Sequence, residues 1–240
     1  MIADIVTLFP SMFFGPLDGG VVGRARAKGH LAVRLHDLRR WGEGRHRVVD
    51  DAPYGGGGGM ILQPGPLFEA VESIREQYPV ERDRVVLLSP QGRKLDHQGV
   101  KRLAGFERLI LLCGRYEGVD ERVREDLADE ELSIGDLVLT GGELPAMMVV
   151  DAVARFLPGV LGCPGAAESE SFADGLLESP YYTRPPEFRG RRVPEVLLSG
   201  DHGAIARWRA DRAREVTRNK RPDLLKRDGS GTRQGRAKER

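Results

Sequence analysis

Three short apolar runs, each ending in a turn built from glycine or proline, constrain this chain more than any other feature. VVLLS (85–89) leads into PQG, LILLC (109–113) into GRYEG, and LVL (137–139) into TGGELP. Glycine just after a strand lets the backbone turn tightly and lets a ligand come close. Between the runs lie helical patterns. Leu67, Phe68, Val71 and Ile74 mark one face of a helix over 66–78, with Pro66 in its first turn. HQGVKRLAGFE (97–107) reads as a weak helix and VDERVREDLAD (119–129) as an amphipathic one. Pro145 opens an apolar helix over 146–157. IADIVTLF (2–9) and LAVRLH (31–36) add strands near the start. Strand and helix in this rhythm predict an α/β fold, a parallel sheet with helices on both faces. Ligands of such sheets sit outside the carboxyl ends of the strands. Cys113 to Pro145, which holds two of the three loops, therefore predicts one small-molecule pocket, with Ile134, Leu137 and Leu139 placed to bracket a flat purine.

The charge is unevenly spread. Residues 201–240 hold 13 Lys/Arg against 6 Asp/Glu, while the first 200 hold 24 against 30. A basic C-terminal module on an acidic body points to a polyanionic partner, and equally describes a solvated helix with a basic tail. The domain reading is a catalytic domain over 1–160 and a Gly-, Ala-, Ser- and acid-rich interdomain linker over 161–178. A helical domain over 179–227 follows, with Asp201 capping a long helix, and then a disordered basic tail over 228–240. No run is long enough to span a membrane, the N-terminus carries no signal-peptide pattern, and the two cysteines, Cys113 and Cys163, make no disulfide framework. A cytoplasmic location is expected.

Several chemistries have no motif here. There is no GxxxxGK[ST], no GxGxxG after a strand, no HExxH, no GxSxG and no His/Cys cluster; the five histidines are scattered. Five consecutive glycines, Gly55–Gly59, read either as a flexible linker or as a mobile binding loop, and their position between apolar elements favours the loop.

These residues closely resemble the bacterial tRNA (guanine-N1)-methyltransferases of the SPOUT class. The resemblance runs to about residue 227 and is carried by DIVTLFP (4–10), RHRVVDDAPYGGGGGM (45–60), LLSPQG (87–92), LLCGRYEGVDERV (111–123), SIGDLVLTGGELPA (133–146), DAVARFLPGVLG (151–162), SFADGLLESPYYTRP (171–185) and VPEVLLSGDHGAIARWR (193–209). It implies a deep trefoil knot over about 88–145 and a small all-α C-terminal domain that grips tRNA. It also implies an obligate homodimer with each active site shared between subunits. The reaction implied is transfer of methyl from S-adenosylmethionine to N1 of guanosine 37, with G preferred at position 36. Another SPOUT enzyme with a different RNA target and a non-catalytic tRNA-binding relative are the alternatives. The segment SFADGLL…YTRP favours the first reading.

The resemblance also assigns residues. Cofactor binding falls to Leu88, Ser89, Pro90, Gly114, Tyr116, Glu117, Gly118, Ile134, Gly135, Asp136, Leu137, Val138, Leu139, Gly141, Gly142 and Pro145. Leu137 departs from the aromatic residue common at its place. Glu117 is placed to balance the cofactor's positive charge; a capping or solvated acid is the plainer reading. Arg155 matches the catalytic arginine, although Asp151 and Arg155 also have the spacing of a helix-surface ion pair. Glu170, just before Ser171 and Phe172, stands where the family's proposed base is an aspartate, and Glu178 likewise replaces a common aspartate. On the substrate side fall His46, Asp50, Tyr54 and Gly59 of the glycine-rich segment and Arg184, Arg192 and Arg209 among the basic residues of 184–220. The family uses magnesium, for which the sequence shows no carboxylate cage, so no metal ligand is assigned.

Overall fold

The computed structural model describes residues 1–163 and 165–225. It divides into two compact units, Met1–Pro164 and Gly165–Arg240. The tail expected to be disordered, 228–240, lies outside the described residues.

The first unit is built on five parallel strands: β1 (Ile2–Thr7), β2 (Ala32–Asp37), β5 (Asp83–Lys94), β6 (Arg108–Cys113) and β7 (Glu130–Ser133), in the order β2-β1-β6-β5-β7. All six residues of the central β6 are buried, as a strand covered on both faces requires. Its side chains alternate between two cores. Leu109, Leu111 and Cys113 face α1 (Gly20–Ala27), α3 (His97–Leu103) and α4 (Glu143–Ala154). Ile110 and Leu112 face Leu67, Ala70, Val71 and Ile74 of α2 (Pro64–Gln77). Arg108, 1% exposed, closes the C-terminal end of α2: its guanidinium donates to the carbonyls of Ile74 and Tyr78 and pairs with Asp83 at 2.6 Å. Two short strands, β3 (Asp50–Asp51) and β4 (Ile61–Leu62), pair antiparallel on either side of the glycine run.

The expected parallel α/β sheet is present, and three elements differ from expectation. The loop expected after residue 89 continues as strand: β5 pairs with β7 through Val86–Leu88 and again through Arg93–Lys94, with an irregularity between them. The LVL run is not a strand; the strand is EELS, 130–133, just before it. The helix expected over 119–129 shrinks to a single π turn, Val123–Leu127. Backbone bonds from Leu62 to Gly118 (3.0 Å) and from Asp120 to Leu62 (3.0 Å) hold that segment extended at its start. Asp129 then turns to accept from the Val85 amide at 2.7 Å. The helix α1 carries too few apolar residues to be read from its pattern.

The second unit contains α5 (His202–Lys220) and α6 (Pro222–Leu225). Asp201 caps α5 by accepting from the Ala204 amide at 2.9 Å. It is not purely helical: β8 (Glu187–Phe188) and β9 (Arg191–Arg192) form a hairpin, because Gly190, at φ 76°, permits the tight turn between them. Much of the segment expected as a linker folds onto this unit. The Leu177 amide donates to the Thr217 hydroxyl at 2.9 Å, and Arg221 lies over the Phe172 ring.

Candidate active site

One cavity of about 190 Å³ lies where β6 and β7 end and where the β5–β7 pairing is interrupted between Leu88 and Arg93. All three strands or the loops that follow them contribute to it. From β5 come Leu88, Ser89 and Pro90; from β6, Gly114, Tyr116, Glu117 and Gly118; from β7, Ile134; and then Leu137, Val138, Leu139, Gly141, Gly142 and Pro145. Fourteen of the sixteen residues assigned to the cofactor thus line one space. Gly135 and Asp136 do not: Gly135 is tied by its amide to the Ser133 hydroxyl at 3.1 Å, and Asp136 turns outward to Lys94 at 3.0 Å. The LVL run explains itself here. Its side chains stay exposed, Val138 by 82%, and form an apolar wall instead of a sheet edge.

Glycine is required at Gly142 of the cavity and at Gly92 within β5 because chains come close there. A Cβ on Gly142 would lie 2.7 Å from the Cys113 Cα, and the Gly142 amide donates to the Gly114 carbonyl at 2.9 Å. A Cβ on Gly92 would lie 2.5 Å from the Glu131 carbonyl carbon. Tyr116 adopts φ 59°, a conformation that costs a non-glycine residue about 1–2 kcal/mol and marks sites of function. Cys113 is no nucleophile: burial pushes its thiol well up, and the nearby Glu143 charge adds to this.

The cavity also gathers residues that the sequence did not single out. Arg115, Arg124, Gln91 and Thr140 line it. Arg124 is held by Glu131 at 2.9 Å and Glu121 at 2.6 Å. Burial alone would push its guanidinium down, but these two hydrogen bonds raise it above the ordinary value. Arg115 sits inside the GRYEG turn that predicted the pocket; its position between two nominated residues was the available signal.

Of the substrate-side residues, Gly59 comes nearest to the cavity: a Cβ there would be 2.6 Å from the Glu117 Cγ, and the Glu117 amide donates to the Met60 carbonyl at 3.0 Å. Gly55, Gly56, Gly57 and Gly59 all have φ between 79° and 111°, so the run is a shaped turn and not a bare linker. His46, Asp50 and Tyr54 belong to the same segment but do not line the cavity, and Tyr54 is fully exposed. Arg155 ends α4 half-buried and also lies off the cavity lining.

In the second unit, Glu170 opens a turn in which the Glu170 carbonyl accepts from the Ala173 amide at 3.1 Å and Phe172 takes φ 79°. Glu178 braces that turn, accepting from the Ser171 hydroxyl at 3.3 Å and from the Tyr181 hydroxyl at 2.5 Å. The bond to Glu178 pushes the Tyr181 phenol up. A separate cavity of about 430 Å³ is lined by Tyr181, Tyr182, Arg184 and Arg209 together with aliphatic residues. Arg192 is not in it; it pairs across the hairpin with Glu187 at 2.7 Å.

Residues 1–227 match the family described as tRNA (Guanine-1)-methyltransferase TrmD. The chain is 58% identical over 222 residues to a tRNA (guanine-N(1)-)-methyltransferase of Geobacter sulfurreducens, covering 92% of this chain and 90% of that one. It is 55% identical over 229 residues to the enzyme of the same name from Desulforudis audaxviator, covering 94% and 90%. To that of Moorella thermoacetica it is 55% identical over 227 residues, covering 95% and 91%. Identity at this level along almost the whole of each chain, over a sheet whose strand ends converge on one cavity, places the protein in the tRNA (guanine-1)-methyltransferase family.

Proposed function

We propose that this protein transfers a methyl group from S-adenosylmethionine to N1 of guanosine 37 of tRNA, with G preferred at position 36. The observation that carries this reading is family membership across residues 1–227, joined to a cavity at the carboxyl ends of β6 and β7 and the break in the β5–β7 pairing. The cavity suits the cofactor. Leu137 and Leu139 offer an apolar wall to a flat purine, Gly141 and Gly142 leave room for close approach, and the Glu117 carboxylate lies on the lining where a sulfonium needs a counter-charge. Bound there, S-adenosylmethionine supplies an electrophilic methyl group.

The chain's own residues supply the rest. Guanine N1 carries a proton and must lose it before attacking. Glu170 is the base that takes it, and the Arg155 guanidinium offsets the negative charge that spreads toward O6. Arg155 belongs to the first compact unit and Glu170 to the second; the family resemblance implies a homodimer with shared active sites. The homodimer is supported by apolar side chains left exposed on the first unit: Phe14, Leu144 and Met148 are 67%, 51% and 52% exposed. The trefoil knot is supported by the two close crossings at Gly92 and Gly142. Tyr182, Arg184 and Arg209 of the second unit pair stacking surfaces with cations, as a grip on RNA requires. Among the described residues, no three His, Cys, Asp or Glu side chains gather to hold a metal; any magnesium is held through cofactor, substrate and a single acid. No helix among the described residues is long and apolar enough to cross a membrane, and a cytoplasmic enzyme is the reading that fits a tRNA substrate.

The test is incubation with radiolabelled S-adenosylmethionine and tRNA transcripts that differ only at positions 36 and 37. Label should enter the transcript carrying G at both and be recovered as N1-methylguanosine. No transfer to that transcript overturns the reading. Equal transfer when position 37 is not G moves the target elsewhere on the RNA.

A further inference from the structure

Glu143 is buried to 1% exposure in the first turn of α4, yet it does not line the cavity. Its Oε1 accepts from the Thr7 hydroxyl at 2.8 Å, and that hydroxyl accepts from the Phe9 amide at 2.9 Å. Its Oε2 stands 3.0 Å from Nη2 of Arg115, an ion pair without hydrogen-bond alignment, so Oε2 has no hydrogen-bond donor. A carboxylate buried in this way costs stability. A buried ion pair is weak evidence of a stabilising role, so the charge calls for another explanation.

Arg115 provides it. The residue lines the cavity, and its Nη1 donates to the Thr140 carbonyl at 3.0 Å, across from one cavity loop to the other. Its guanidinium also lies 4.4 Å from the centroid of the Phe9 ring and touches the Met12 sulfur. Arg115 and Gly141 pair antiparallel, and a Cβ on Gly141 would overlap the Arg115 Nε. One guanidinium therefore straps the loop after β6 to the loop before α4, with Gly141 lying beneath the strap. The remaining wall residues, Leu137–Thr140, hang from that loop.

We infer that Glu143 is a positioning residue for cofactor binding: from outside the cavity, its charge fixes Arg115 across the Gly141 turn and so sets the cavity wall. The inference rests on the cofactor reading above. A guanidinium without its carboxylate is free to take other rotamers, and the turn then loses its fixed lid. The Glu143→Gln change keeps the size and the acceptor for Thr7 but sets an amide against the guanidinium.

The experiment is calorimetric titration of the full chain with S-adenosylmethionine, well below the melting temperature, on wild type, Glu143→Gln, Arg115→Lys and the double variant. Glu143→Gln should weaken binding about tenfold, in line with loss of one charge-assisted contact. The double variant should bind no worse than Arg115→Lys alone, because both changes break one strap. A purely structural role would lower the melting temperature while leaving affinity below it unchanged. Binding by Glu143→Gln within about twofold of wild type, or losses that multiply in the double variant, overturns the inference. Should Glu143→Gln not fold, Thr7→Val takes its place: it removes one hydroxyl and should cost about threefold, again without adding to Arg115→Lys. Failure of the wild-type chain to bind S-adenosylmethionine at all would instead overturn the cofactor reading itself.

Discussion

At the level of single residues the proposed base, Glu170, is one methylene longer than the aspartate that the family resemblance puts at its place. Glu170 sits in a turn strained by Phe172 at φ 79° and braced by Glu178 through Ser171 and Tyr181. That brace also uses a glutamate where the family commonly has aspartate. The segment from Glu170 to Glu178 thus carries two longer acids, one proposed as the base and one bracing Ser171. Glu170→Gln should lower the single-turnover rate by about 10²–10⁴-fold and leave cofactor affinity unchanged, since only proton removal is lost. Glu170→Asp should cost up to about 100-fold, because the shorter acid no longer reaches from a turn built for the longer one. Rapid-quench measurement of methyl transfer under saturating tRNA reads both. Full activity of Glu170→Gln would remove this residue from the proton transfer.

At the level of elements, the end of α2 and the start of β5 are joined by charge. Asp83 takes Arg75 at 2.9 Å and the buried Arg108 at 2.6 Å. Burial alone would push the Asp83 carboxyl up; the hydrogen bonds from the two arginines outweigh it and hold the carboxyl below its ordinary value of 3.8. A depressed carboxyl stabilises the fold fully above its unfolded pKa, and the contribution is lost as pH falls through the folded pKa. Asp83→Asn should therefore cost about 1 kcal/mol at neutral pH, and the gap to wild type should be constant well above the unfolded carboxylate range and narrow as pH falls through the lowered folded pKa. Urea unfolding followed across pH 3–8 checks this; a gap that widens in acid would reverse the sign. The same elements show what could be read in advance. The runs VVLLS and LILLC gave true strands because both faces are covered, and a buried strand needs an apolar run. LVL has the same composition but no cover. Its residues are apolar to form a cavity wall, and composition does not distinguish a ligand's cover from a helix's. The segment 119–129 has a helical pattern, yet its backbone bonds are drawn to Leu62 and Val85, partners distant in sequence. Arg115 and Glu143 were hidden for a related reason: their importance lies in a contact across 28 residues that only the folded chain creates.

For the whole molecule, the uneven charge becomes a statement about RNA once the arginines have surroundings. The basic excess of 201–240 lies on α5 and in the residues beyond it, and further arginines precede it in the second unit, but not every cation of that unit is equally available. Arg192 is already held by Glu187 at 2.7 Å, whereas Arg209 lines the cavity with Tyr181, Tyr182 and Arg184. A cation that contacts phosphate releases condensed counterions, so each such contact adds about 0.7–0.9 to the slope of log affinity against log salt. Arg209→Ala should therefore weaken tRNA binding and lower that slope by about one. Arg192→Ala should lower it by less, because a residue shared with Glu187 must give up one partner to gain the other. Cofactor affinity should stay the same in both variants. Filter binding of tRNA between 50 and 400 mM salt separates the two arginines. Equal slopes for wild type and Arg209→Ala would mean that this arginine faces a base or solvent and not the backbone. A larger slope change for Arg192 would place the phosphate track along the β8–β9 hairpin, away from the tyrosine-lined cavity.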